Sequence, residues 1–422
     1  VNRSRALRSV AWAGIVLASS GLLHADAVLD WNATALETTA SAPFNPPLES
    51  RNLAIVHAAM FDAVNSIAGE FRPYAVEIDA PEGASPDAAA AAAAHSALAQ
   101  LYPDQQAALD AAYATSLSRI PDGPAKTDGV AVGQAAAARI LALRATDGTG
   151  AAIDAPYAPG AGPGDWIPTP PAFAPALDPG WGKVRPFCLE DGGSFRADPP
   201  PALTSAEYAR DYREIADIGS ATSRTRTRDQ ADLARFWVST ASQIWNPAAR
   251  QVATGQGLTV SRNARALALL NLAGADAVIA AWDAKFAHNQ WRPVTAIRAA
   301  DTDGNPETTA DPAWTPLLVT PPFPDYVAGH TAYAGAAAKV LEHVFGAHPG
   351  VVLKLTSAAA PGATRTYATF EEIADGVVEA RVLGGIHWRT SSTQGKKMGA
   401  AVAAFAIDHC LEPRDERRDD AK

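Results

Sequence analysis

Seven consecutive alanines, Ala88 to Ala94, restrict what this chain can fold into more than any other stretch. Alanine is the best helix former and has no side chain with which to cover the face of a strand. Ser85 and Pro86 ahead of the run supply a cap and a first-turn proline, and Leu98 and Leu101 behind it recur at helical spacing. The run therefore reads as a close-packed helix rather than a low-complexity segment. Its neighbours carry the same signature. In "SRNLAIVHAAMFDAVNSI", residues 50–67, Leu53, Val56, Met60, Ala63, Val64 and Ile67 fall on one helical face. Residues 103–120, 125–145, 205–218, 227–245 and 261–291 are further helical stretches. No strand-like alternation of convincing length interrupts them. The expected fold is all-α, built of helical bundles in two halves, 28–148 and 203–411. Between them, residues 149–202 are dense in Pro, Gly and Trp. So long an irregular segment is expected to wrap a surface, with its tryptophans packed rather than dangling. Residues 412–422 read as a charged tail.

Residues 1–27 read as an export signal: Arg3, Arg5 and Arg8, then "SVAWAGIVLASSGLL", then a small-x-small site at Ala25–Ala27. An uncleaved membrane anchor is the alternative. Val1 reads as a literally translated GTG start, so the expectation is a bacterial protein exported to the periplasm or beyond. The formal charge of −10 becomes −12 without residues 1–27, which speaks against nucleic acid or an anionic membrane as partner. No later segment reads as a transmembrane helix, so no membrane is expected for the mature chain. The two cysteines, Cys188 and Cys410, could pair in an oxidising compartment, but their separation in space is not readable from sequence.

Three segments of the last third carry chemistry. In "KFAHNQWRP", Lys285 and Arg292 are seven residues apart, close to two helical turns, with Pro293 placing Arg292 at a helix end. Alone they read as solvated surface cations, yet Trp282, Phe286 and Trp291 interleave them, which a solvent-facing helix rarely allows. In "PPFPDYVAGHTAYAG", the prolines keep the chain extended before a helix from about Thr331, so Gly329 and His330 lie at a helix N-terminus, where free amides favour anions. His330 could equally be a cap. In "EARVLGGIHWRTSS", Arg381 and His387 are six apart, about 120° round a straight helix, with Gly384 and Gly385 permitting close approach of another segment. Taken alone, His387 reads as a core histidine. Together these residues could surround a small tetrahedral oxyanion, with arginine forks and backbone amides meeting its oxygens.

In the order Lys-x6-Arg-Pro, Gly-His, Arg-x5-His, the chain resembles the vanadium-dependent haloperoxidases and the related type 2 phosphatidic acid phosphatase superfamily. The likeness covers roughly residues 225 to 410, and the N-terminal half is more loosely similar to bacterial vanadium chloroperoxidase-like proteins. The resemblance implies helical bundles and a vanadate cofactor, with no haem and no nucleotide. It implies that His387 is the metal ligand, that His330 is the acid–base, and that Lys285, Arg292, Arg381 and the Gly329 amide hold the remaining oxygens. Lys285 would polarise a bound peroxide oxygen for attack by halide. Trp282 and Phe323 would line the halide side, Phe323 as in chloroperoxidases. The implied partners are hydrogen peroxide, a halide and an organic acceptor. For a phosphatase the partner would be a phosphate ester, with His387 the nucleophile and His330 protonating the leaving group. Two departures stand out. Ala328 replaces the family's serine before Gly-His, removing a hydroxyl donor. Ser391 stands where the phosphatases carry an aspartate behind the second histidine. These losses keep open a third reading, a degenerate oxyanion-binding protein.

Overall fold

The computed structural model describes residues 26–414, so the expected signal, apart from Asp26 and Ala27, and the tail beyond Arg414 lie outside the described residues. Asp26 and Ala27 themselves belong to the folded body. Helix α1 (Ala27–Ala40) starts at Ala27, and the Asp26 carboxylate caps it by accepting from the Leu29 amide and from Asn263.

The N-terminal half continues through α2 (Pro46–Ala68), α3 (Pro86–Leu101), α4 (Gln106–Ser118), α5 (Pro124–Arg144) and the single turn α6 (Thr149–Ile153). Asn45 and Ser85 cap α2 and α3 through their side chains, each followed by a proline preset for the first turn. Ala88 to Ala94 are all buried, so this part of α3 is enclosed on every side. Helix α5 packs so tightly on it that a Cβ at Gly133 would stand 2.2 Å from the Ala89 carbonyl oxygen.

The C-terminal half comprises α7 (Ala206–Ile218), α8 (Arg228–Phe236), α9 (Ser242–Gln256), α10 (Val260–His288), α11 (Pro293–Arg298), α12 (Gly329–Phe345), α13 (Phe370–Leu383) and α14 (Arg389–His409). Helix α10 is the axis of the molecule, packing on α1, α2, α9, α12 and α14. By length and composition it could cross a membrane, contrary to the sequence reading, but 94% of its apolar window is buried inside the protein. Helices α12 and α14 meet almost backbone to backbone, since a Cβ at Gly399 would collide with the Ala332 carbonyl at 1.8 Å. One apolar core runs from Ala27 to Leu411 through both halves.

Three details depart from the sequence reading. A two-stranded antiparallel hairpin, β1 (Leu353–Thr356) and β2 (Thr364–Tyr367), joins α12 to α13; four residues per strand are too few for alternation to register. Residues 227–245 form two helices instead of one, broken at Trp237–Ala241, where Thr240 bonds out to a distant carboxylate. Helix α10 ends at His288 because Asn289 turns left-handed at φ 50°. Arg292 is therefore in extended backbone (φ −81°, ψ 155°) and does not share a helical face with Lys285.

The Pro-rich segment packs as its tryptophans predict, with Trp166 and Trp181 fully buried. Buried Asp276 on α10 anchors it by accepting from the amides of Phe187, Cys188 and Leu189. Cys188 is disulfide-bonded to Cys410 after α14, with Cα atoms 6.3 Å apart.

Candidate active site

The three sequence segments converge at helix ends: Lys285 and Arg381 are in the last turns of α10 and α13, and Gly329 and His330 open α12. After α10 the chain turns at Asn289 and brings Arg292 back beside Lys285. After α13, Gly384 and Gly385 turn the chain, so Arg381 and His387 are related by a bend and not by rotation round one helix. Gly385 is left-handed (φ 74°), and a Cβ there would lie 2.3 Å from the Gly219 carbonyl oxygen, so a side chain is barred twice over. The third segment, residues 321–328, bends twice on its way into α12, whose N-cap is Ala328 with no side-chain cap. The first amides of α12, from Gly329 and His330 onward, therefore meet no capping oxygen and present the positive end of a 17-residue helix.

Lys285, Arg292, Arg381 and His387 are all buried. Lys285 Nζ donates to the carbonyls of Pro324 and Asp325 at 2.8 Å each. Arg292 donates to the carbonyls of Phe323 and Ile386 at 2.7 Å and faces the His387 ring, with Nη1 3.1 Å from Nε2. Lys285 Nζ and Arg292 Cζ lie 4.9 and 4.8 Å from the centre of the Phe323 ring, so both cations stack against it. Arg381 donates to the Trp237 carbonyl, and His330 Nε2 meets the Ser239 carbonyl at 3.0 Å. The break between α8 and α9 thus supplies acceptors to two site residues. It is itself held by Glu49 on α2, which accepts from Thr240 and Ser242.

Asp325 is the residue the sequence reading missed. Fully buried, it places Oδ1 3.2 Å from His387 Nδ1 and Oδ2 3.9 Å from Arg292. Ser391 does leave the phosphatase position without an acid, but an acid reaches His387 from five residues before His330, and Ser391 donates to the Asp325 carbonyl. No local spacing links Asp325 to His387, 62 residues away.

These contacts fix the tautomers. A carbonyl oxygen only accepts, so His330 carries its proton on Nε2 and offers a lone pair at Nδ1. A carboxylate likewise holds the His387 proton on Nδ1 and so leaves the lone pair on Nε2, the tautomer a metal needs, with the Arg292 Nη1 donor 3.1 Å from it. Burial, helped by the Arg381 charge, pushes His330 down to about 3, and burial with Arg292 holds His387 well below the usual imidazole range. Both rings are neutral at pH 7. Burial also pushes Lys285 well down, with Arg292 adding to it and Asp325 opposing. Arg292 and Arg381 fall to about 10 and about 9, still charged at neutral pH. Burial lifts Asp325 to about 6 against the pull of Arg292 and Lys285.

Even with Lys285 neutral, the two guanidinium cations against one carboxylate leave the site positive, and burying net charge is costly unless a counter-charge is bound. Arg292 Nη2 and Arg381 Nε have no hydrogen-bond partner among the described residues. An oxyanion answers both deficits. The donor set fits vanadate: one histidine lone pair for the metal, guanidinium and ammonium groups for its oxygens, and a helix N-terminus. Among the described residues no group of three or more His, Cys, Asp or Glu could hold a simple cation.

A cavity of about 580 Å³ opens onto this cluster. His330, His387, Arg381, Gly329, Trp282 and Phe323 are on its wall, whereas Lys285 and Arg292 sit behind Phe323 and His387. Trp282 and Phe323 pack with ring centres 4.9 Å apart, and Trp282 lies so close to Gly329 that a Cβ there would meet its ring at 3.0 Å.

Helical bundles enclosing a buried cationic pocket, with two neutral histidines on its wall, define the class of fold and site to which this chain is compared. Residues 265–416 match the family model of the VCPO second helical-bundle domain. The vanadium chloroperoxidase of Curvularia inaequalis is 25% identical over 407 residues, covering 76% of this chain; the chain spans 66% of that curated relative. A solved bacterial vanadium-dependent iodoperoxidase superposes with a TM-score of 0.81 at 27% identity, over 92% of this chain and 98% of that one. The holo form of a bacterial vanadium-dependent chloroperoxidase shares the fold, with a TM-score of 0.69 at 17% identity over 88% and 94% of the two chains. In overall fold, and in sequence over residues 265–416, the chain is thus similar to vanadium-dependent haloperoxidases.

Proposed function

We propose that the protein is a vanadium-dependent haloperoxidase that uses hydrogen peroxide to oxidise a halide, X⁻ + H₂O₂ + H⁺ → HOX + H₂O. The observation that carries this is the buried, net-positive cluster in which Asp325 holds the His387 proton on Nδ1 and so keeps the lone pair on Nε2. His387 would hold vanadate through Nε2, with Lys285, Arg292, Arg381 and the amides opening α12 around its oxygens. Bound vanadate supplies a Lewis acid that activates peroxide without changing its own oxidation state.

The chain's own residues do the rest. His330, neutral and with Nδ1 unprotonated, takes and returns a proton at the mouth of the cluster. Lys285, Arg292 and Arg381 offset negative charge in a site whose low polarity strengthens each contact. Trp282 and Phe323 shield the halide side from water. Without a hydroxyl at position 328 the oxyanion has one donor fewer, so iodide, which needs the least activation, is the halide expected to react fastest.

Export, expected from residues 1–27, belongs to the same proposal. The Cys188–Cys410 bond supports it, because such bonds persist in oxidising compartments.

The test is peroxide-dependent oxidation of iodide, bromide and chloride by purified protein with and without added orthovanadate, beside hydrolysis of an aryl phosphate. Halide oxidation that requires vanadate is the expected result. Phosphate ester hydrolysis inhibited by vanadate, with no halide oxidation, would overturn the proposal.

A further inference from the structure

The cavity beside the cationic cluster is far larger than peroxide and halide require. Two water-sized ligands need roughly 60 Å³, against about 580 Å³ in the structure. Its chemistry is also polarised. The charged and imidazole groups Arg381, His330 and His387 stand at one end, and no Asp, Glu or Lys side chain is on the wall. The remainder is mostly apolar, formed by Phe44, Leu177, Val278, Leu318, Val319 and Phe323 among others. At the mouth, Phe44, Val238 and Val319 are 72%, 43% and 73% exposed. Three of the eight exposed large hydrophobic residues of the described chain thus cluster on one rim. Exposed apolar side chains gathered round a concave apolar pocket mark a ligand site, and the volume is that of a drug-sized molecule.

We propose that this lobe binds a neutral, mainly apolar, electron-rich aromatic acceptor, so that halogen is transferred to a bound ring and not only released as free hypohalous acid. This rests on the haloperoxidase reading for the transfer step. In that step HOX + Ar–H → Ar–X + H₂O: a ring electron pair forms the C–X bond, the O–X bond breaks, and the ring proton leaves with hydroxide as water. A neutral ligand fits because the wall has no carboxylate to attract a cation. An anion would be drawn past the apolar lobe to the arginine end.

The binding test needs no vanadate, peroxide or halide. 1-Naphthol, neutral at pH 7, is titrated calorimetrically into the purified protein. One saturable site per chain is expected, with a Kd well below about 1 mM, persisting when orthovanadate is added. Val278→Phe, which fills the lobe one turn before Trp282, should weaken binding about tenfold or more, one bulky contact being worth that much. Val319→Asp on the exposed rim should weaken it severalfold and cannot disturb the core. Both variants are compared at matched circular dichroism and melting temperature. No saturable binding, binding indifferent to both substitutions, or binding competed away by vanadate would overturn the proposal. Because binding is read without turnover, a missing haloperoxidase activity and a missing acceptor site are separate results. In active protein, bromination of 1-naphthol should give a 2- to 4-position ratio different from that of reagent hypobromite. An identical ratio would mean that the ring reacts in solution and would overturn the transfer step.

Discussion

Two polar clusters lie buried in this molecule, and they are built on opposite terms. In the first, Asn32, His57, Asn246 and Asn271 tie α1, α2, α9 and α10 together with neutral groups. Asn246 and Asn271 exchange two side-chain bonds, Asn32 donates to Asn246 and meets His57, and Arg250 donates to Asn32 from the half-buried edge. Among the described residues, only the His57 Nδ1 of these four side chains lacks a hydrogen-bond partner. In the second, Lys285, Arg292 and Arg381 crowd one carboxylate, and two guanidinium nitrogens and a carboxylate oxygen have no hydrogen-bond partner among the described residues. A polar cluster that satisfies itself holds helices together. One that leaves charge and donors unmet is organised around something it binds.

That contrast can be broken most sharply at Arg381. Arg381→Gln removes one cation from a positive cluster, so vanadate affinity and halide oxidation should fall at least about 100-fold, while the melting temperature should hold or rise. A large drop in melting temperature with affinity intact would make the charged cluster structural. Asp325→Asn should cost about 10–100-fold in vanadate affinity, because an amide no longer secures the His387 tautomer. Calorimetric titration of the variant with orthovanadate checks this. The mirror experiment is Asn271→Ala in the neutral cluster. It strands Asn246 and should lower stability by about 1–3 kcal/mol in denaturant unfolding, with vanadate affinity unchanged.

The neutral cluster also has a pH dependence. Burial, then the Arg250 charge, hold His57 down to about 3, against 6.5 for a free imidazole. Between those values the unfolded chain binds a proton that the folded chain refuses. Stability is therefore complete above about 6.5 and is lost as pH falls toward 3, by up to about 1.4 kcal/mol per pH unit. His57→Gln should flatten the unfolding free energy across that window by one proton, and an unchanged slope would place the titration elsewhere.

The helical fold was legible in the sequence because its signals are local. The alanine run with Ser85–Pro86, and the apolar face of residues 50–67, each imply a helix without reference to the rest of the chain. Of the site, the sequence showed the residue types and their order, since Lys285, Arg292, Arg381 and His387 are chemistry out of place in helical core. It did not show how they meet. Lys285 and Arg292 were read on one helix face, and Arg381 and His387 on one helix, whereas turns at Asn289 and Gly385 bring each pair together. Asp325 and the Glu49-held break at Trp237–Ala241 were invisible for a different reason. Their partners are distant in sequence, and nothing in "PFPDY" marks its aspartate as different from a surface turn residue.

The most direct measurement is calorimetric titration of orthovanadate into the purified protein and into His387→Ala. One site per chain in the parent, with binding reduced by at least about 100-fold in the variant, is the expected result. Absence of saturable binding in the parent, or equal binding in both, would contradict an oxyanion site built on His387.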